Sequence, residues 1–109
     1  MKTRTPMSML VAIAGLSSAL NAQTAQLSVS ESISPGSAVD ITYLDASKAG
    51  QTVQVTVDNG FRLPSRRVVV TLEIVLDAEG KGTVVWTAPN WLAANFNAPN
   101  AAELHRTIL

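Results

Sequence analysis

The feature that most constrains this chain is a repeated alternation of apolar, mostly β-branched residues with polar ones. Val39, Ile41 and Tyr43 alternate with Asp40 and Thr42, and Val53, Val55 and Val57 alternate with Thr52, Gln54 and Thr56. The same period appears at Leu27 and Val29, along Val68–Leu76, at Val84 and Trp86, and in a weaker final run where Leu104 and Ile108 flank Arg106. In an extended backbone successive side chains leave opposite faces, so this period lays one apolar row on a core and leaves the other row wet. β-Branched residues suit such a half-buried pleated surface. Helical periodicity is scarce, with single turns expected only at Ala93–Ala94 and Ala101–Ala102. Val69 and Val75 add apolar residues to the second face of the longest run, which predicts a central strand or one covered twice.

Turn chemistry punctuates the runs. Pro35-Gly36 suits a type II turn, Asp58-Asn59-Gly60 tolerates positive φ, and Asp77–Gly82 is expected to be a hairpin loop. Six strands in so short a chain predict an all-β, antiparallel sandwich of about 6–7 strands.

The first residues do not belong to that pattern. Lys2 and Arg4 precede the 14-residue apolar stretch Met7–Leu20, and Ala22 supplies the small residue that a signal peptidase needs before its cut. The stretch is short of the roughly 20 residues that span a bilayer. The reading is therefore a signal peptide at 1–22, a short linker at 23–26 and one domain at 27–109, exported to the periplasm, the cell surface or the medium. Cleavage after Ala25 and retention as an anchor are the alternatives. After cleavage no membrane span is expected. The remaining 87 residues carry six basic against eight acidic side chains, a net charge of −2. That balance argues against nucleic acid as a partner.

A resemblance follows from three segments: PGSAVDITY, AGQTVQVTVDNG and GKGTVVWTAP. Their order is similar to the strand series of bacterial secreted immunoglobulin-like domains, with a proline-glycine turn before a V-x-I-T-Y strand and a late strand with an inward aromatic. It covers about residues 27–88 and implies an immunoglobulin-like sandwich with a binding or scaffolding role. The cysteine pair of antibody domains is missing. A transthyretin-like sandwich is the alternative topology.

Few residues carry reactive chemistry. His105 is the single imidazole, and no G-x-S-x-G nucleophile motif is present. With no Cys and one His, neither thiolate zinc sites nor a His cluster can form. Asp77 and Glu79 lack the spacing of a calcium loop. Catalytic residues, cofactor and metal are accordingly expected to be none. Phe61, Arg62, Arg66 and Arg67 form the one basic cluster, read as a solvated strand end or an anion contact. The segment Asn90–Asn100 reads as a long loop holding two of the five aromatics and four Asn. Trp91, Asn95, Phe96 and Asn97 are its candidate binding residues, because rigid aromatics with amides recognise protein surfaces and sugars. The competing expectation is that Trp91 and Phe96 plug the end of the core. The functional expectation is an exported, non-catalytic binding or structural module for an unknown protein partner or glycan. The alternative is a small secreted carbohydrate-binding module using these loop aromatics.

Overall fold

The structure, a computed structural model, describes residues 25–109. The signal peptide read over 1–22 lies outside the described residues. Of the linker expected at 23–26, Ala25 and Gln26 belong to the domain: Ala25 is buried and its N–H donates to the Asn100 carbonyl at 3.0 Å, and Gln26 opens the first strand.

Seven strands follow: β1 (Gln26–Val29), β2 (Ala38–Leu44), β3 (Thr52–Asp58), β4 (Val69–Val75), β5 (Lys81–Thr87), β6 (Ala93–Asn97) and β7 (Leu104–Thr107). A single 3-10 turn, Ala46–Lys48, interrupts the β2–β3 connection. The strands form two antiparallel sheets, ordered β1-β2-β5 and β4-β3-β6-β7. This is an all-β sandwich with immunoglobulin-like connectivity, its fourth strand lying beside the third.

The alternation places the core where the sequence predicts. Val39, Ile41 and Tyr43 of β2 and Val53, Val55 and Val57 of β3 are buried, as are Ile74, Leu76 and Trp86. Val70 and Leu72, expected in the same row, are only half-buried. Where antibody domains pin their sheets with a disulfide, this core stacks aromatics. Phe96 meets Trp86 edge-on, with ring centroids 5.8 Å apart, and Trp91 tilts against Trp86 at 5.6 Å. Such geometries favour the ring quadrupoles.

Three expectations need correction. Residues 93–97 are a strand, with no helical turn at Ala93–Ala94: Ala94 and Phe96 point inward, and β6 lies between β3 and β7. Secondly, β4 is an edge strand rather than a central one, and Val69 and Val75 are 49% and 71% exposed. Thirdly, Asp77–Gly82 does not join a paired hairpin. The turn closes locally, with Asp77 N–H donating to the Lys81 carbonyl at 2.9 Å, but its two strands enter different sheets. Gly80 has φ +85°, and a Cβ there would strike the Asp45 carbonyl. A Cβ at Gly82 would collide with the Val75 carbonyl and the Ile74 side chain. The two glycines thus let the chain cross between layers at close range.

The sandwich has one sealed side and one open side. On the β1/β7 side, Ile33 bridges Ile108 in parallel and Leu109 N–H donates to the Ile33 carbonyl. Arg106 lies on the inward row of β7, and its guanidinium reaches the Val29 and Ser30 carbonyls at 3.2 and 3.0 Å. No comparable segment caps β4 among the described residues.

Candidate functional site

One row of the four-stranded sheet places polar side chains from three strands in register. Asp58 of β3 pairs with Asn95 of β6, which pairs with His105 of β7. All three project from the outer face, because their neighbours Val57, Phe96 and Leu104 form the inward row. The side chains join into one chain of contacts. Asn95 Nδ2 donates to Asp58 Oδ1 at 3.2 Å, and Asn95 Oδ1 lies 2.6 Å from His105 Nδ1. With its amide nitrogen donating to Asp58, Asn95 presents its oxygen to the ring, so Nδ1 carries the proton of that bond. His105 Nε2 faces Glu103 Oε1 at 3.4 Å, and Arg67 lies 3.5 Å from Asp58 Oδ2.

The loop between β3 and β4 walls this row. Asp58 Oδ1 accepts the Gly60 N–H at 2.8 Å, an Asx turn that the Asp-Asn-Gly sequence encodes. Asn59, 9% exposed, holds the loop shut. Its Nδ2 donates to the Arg66 carbonyl at 2.8 Å, and its Oδ1 accepts from Val68 and Phe61 N–H. Phe61 and Arg62 thereby stand at the rim of an open hollow of about 270 Å³, floored by Asp58, Asn95 and His105. Phe61 is 42% exposed.

Chemically the hollow offers both donors and acceptors beside one aromatic ring. Both His105 ring nitrogens already face oxygen atoms, and no hydroxyl or thiol side chain lines the hollow, so a serine-type nucleophile with its base is not assembled there.

The residues singled out from the sequence divide between core and surface. Phe96 is fully buried and unavailable to a ligand. Trp91 is half-buried against Trp86, which fits the plug expectation. Asn95 and Asn97 lie half-buried on the outer face, Asn95 within the polar row and Asn97 beside Gln54 and Thr56 in a shallower depression. Of the basic cluster, Phe61, Arg62 and Arg67 reach the hollow. No local pattern brings Asp58 together with Glu103 and His105, which lie some 45 residues further along the chain. Their meeting depends on β6, whose strand character the Asn-rich segment concealed.

A second polar cluster is structural. The Tyr43 hydroxyl donates to the Pro99 carbonyl at 2.6 Å, tying β2 to the β6–β7 turn across the sandwich. Asp45 beneath it is 2% exposed and accepts the Ser47 hydroxyl at 2.6 Å and the Ser47 N–H at 3.0 Å. The Ser47 hydroxyl bond holds the Asp45 carboxyl below its ordinary range against the opposing effect of burial, helped by the Ser47 N–H and the Lys48 charge. Burial, followed by the Asp45 charge, pushes the Tyr43 phenol up.

Fold and site together define a seven-stranded antiparallel β-sandwich with a polar hollow at one end of its larger sheet. No family model, curated protein or solved structure matches this chain.

Proposed function

We propose that this protein is an exported, non-catalytic binding module that engages its partner at the hollow on the four-stranded sheet. The observation that carries this reading is the in-register row Asp58–Asn95–His105, flanked by Arg67 and Glu103 and walled by a loop that Asn59 holds in place. A prearranged row of donors and acceptors lowers the ordering cost of recognition, because its side chains are fixed before a ligand arrives. Export rests on the basic start, short apolar stretch and Ala22 of the leader.

A second reading, carbohydrate recognition, is favoured by Phe61, exposed at the rim beside the Asn95 amide. A ring offers a face to a sugar, and amide, carboxylate and imidazole groups match its hydroxyls. This moves the expected aromatic contact from Trp91 and Phe96 to Phe61. The test is crosslinking of the exported protein to cell-envelope proteins, run beside amide chemical-shift mapping with soluble envelope glycans. A protein captured by wild type but lost with Asn95→Ala supports the first reading. Glycan shifts centred on Phe61, Asn95 and His105 support the second. Capture and shifts that are both indifferent to Asn95→Ala overturn the site.

A further inference from the structure

We propose that the free edge of β4 is a self-association surface, pairing antiparallel with β4 of a second copy about a two-fold axis at Thr71. The backbone sets the available groups. Asn59 N–H donates to the Val68 carbonyl, and Leu76 N–H donates to the Gln51 carbonyl. Even-numbered residues of this strand therefore face β3, and antiparallel alternation turns the N–H and C=O of Val69, Thr71 and Glu73 out to the bare edge. Val75 would continue the series, but its carbonyl lies against Gly82, where β5 crosses beneath. The open edge thus runs from Val69 to Glu73.

That span admits one symmetric register in which every outward group is paired. Thr71 faces Thr71 of the second copy, and Val69 faces its Glu73. An isologous contact of this kind closes on itself and makes a dimer rather than a fibre. Side chains agree on both faces. Inward, Val70 meets Leu72 of the second copy, and both are only half-buried in the single chain. Outward, the two threonines meet at the axis. Glu73 of one copy lies across from Val69 of the other, two residues after Arg67, which carries the opposite charge. The two Glu73 carboxylates stand four residues apart along the strand, about 13 Å, so their repulsion is screened. A register centred on Leu72 would instead bring them to diagonal positions and drive the second copy into Gly82.

Edge strands are ordinarily blunted by Lys, Pro, a bulge or a covering segment. The opposite side of this sandwich shows that treatment, with Arg106 turned inward and Ile33 bridging Ile108. β4 contains neither Lys nor Pro, and its pairing with β3 is unbroken from Val69 to Val75.

The chain holds no cysteine, so Thr71→Cys gives a single reporter. Across a hydrogen-bonded antiparallel pair the Cα atoms are about 5.5 Å apart, within reach of a disulfide. On mild oxidation of the secreted protein, Thr71→Cys should yield a covalent dimer well ahead of Gln54→Cys, which lies on the same face but one strand inward. Sedimentation equilibrium of the unmodified protein should show a mass rising toward twice the monomer with concentration. Thr71→Pro should abolish that rise while leaving the melting temperature at monomer concentration unchanged, because this N–H has no partner among the described residues. Equal crosslinking at the two cysteine positions, or a monomer at every concentration, overturns the proposal. Should Thr71→Pro fail to fold, the cysteine pair still decides.

Discussion

Tyr43, Asp45, Trp86 and Phe96 show how single side chains divide the labour in a domain without disulfides. Trp86 and Phe96 pin the two sheets by packing. Removing either ring should cost about 3–5 kcal/mol, through lost transfer energy and the cavity left behind. Trp91→Ala should cost less, because Trp91 is half-buried while Phe96 is fully enclosed. Urea unfolding of the three variants gives the order directly, and a Trp91 variant as costly as Phe96→Ala would contradict it. Asp45 acts through its charge. Its folded carboxyl titrates below the unfolded one, so its stabilising contribution is complete above the ordinary carboxylate range near pH 4. The contribution is lost as pH falls through the lower folded value. Asp77 shifts the same way, mainly through the Lys81 and Glu79 N–H groups that it accepts. The urea midpoint should therefore drop between pH 5 and pH 2, and Asp45→Asn should flatten that slope. A variant whose midpoint falls in parallel with wild type would exclude this role.

At the scale of elements, the connections carry as much information as the strands. The β3–β4 loop is shaped by Asn59, which satisfies three backbone groups from inside the fold. Asn59→Ala leaves those groups without partners in a partly dry setting and should cost about 1–3 kcal/mol. It should also loosen Phe61 and Arg62, seen as faster amide exchange across residues 60–67 with the strand cores unchanged. Protection that stays uniform in the variant would mean that the loop is held by something else. The β4–β5 turn illustrates a different constraint. Asp-Ala-Glu-Gly-Lys-Gly reads as a hairpin, and its local hydrogen bonds are those of one. Yet Gly80 and Gly82 serve a crossing between layers, where Asp45 and Val75 carbonyls leave no room for a Cβ. Local turn chemistry specifies the closure of the chain but not the sheet that the following strand joins.

For the whole molecule, the asymmetry of the two sides organises the surface. The β1/β7 side is closed by residues 30–34 and Arg106, while the β4/β5 side keeps exposed valines, with Val85 at 59% and Val75 at 71%. The polar hollow and the bare edge therefore belong to one sheet, and a partner on either would leave the aromatic core untouched. Export is tested by processing: N-terminal sequencing of protein recovered outside the cytoplasm should begin at Gln23. A cytoplasmic product still beginning at Met1 would refute the leader.

The alternation of Val, Ile and Thr determined by itself that this chain is an all-β sandwich and which faces of β2, β3 and β5 turn inward. A half-buried strand needs one apolar row and one wet row, and that need is written locally. β6 was not legible, because Ala-Ala-Asn-Phe-Asn offers a short row of weak strand formers. Its conformation is imposed by hydrogen bonding to β3 and β7 on either side. The edge position of β4 was hidden for a related reason. Val69 and Val75 look like residues for a second buried face, and only the order of the sheet leaves them uncovered among the described residues. The site follows the same rule. Asp58, Asn95 and His105 are far apart in sequence, and their contact depends on two strand registers that no local pattern specifies. Tertiary pairing decided it, since a side chain's neighbours across a sheet are chosen by backbone bonds between distant segments.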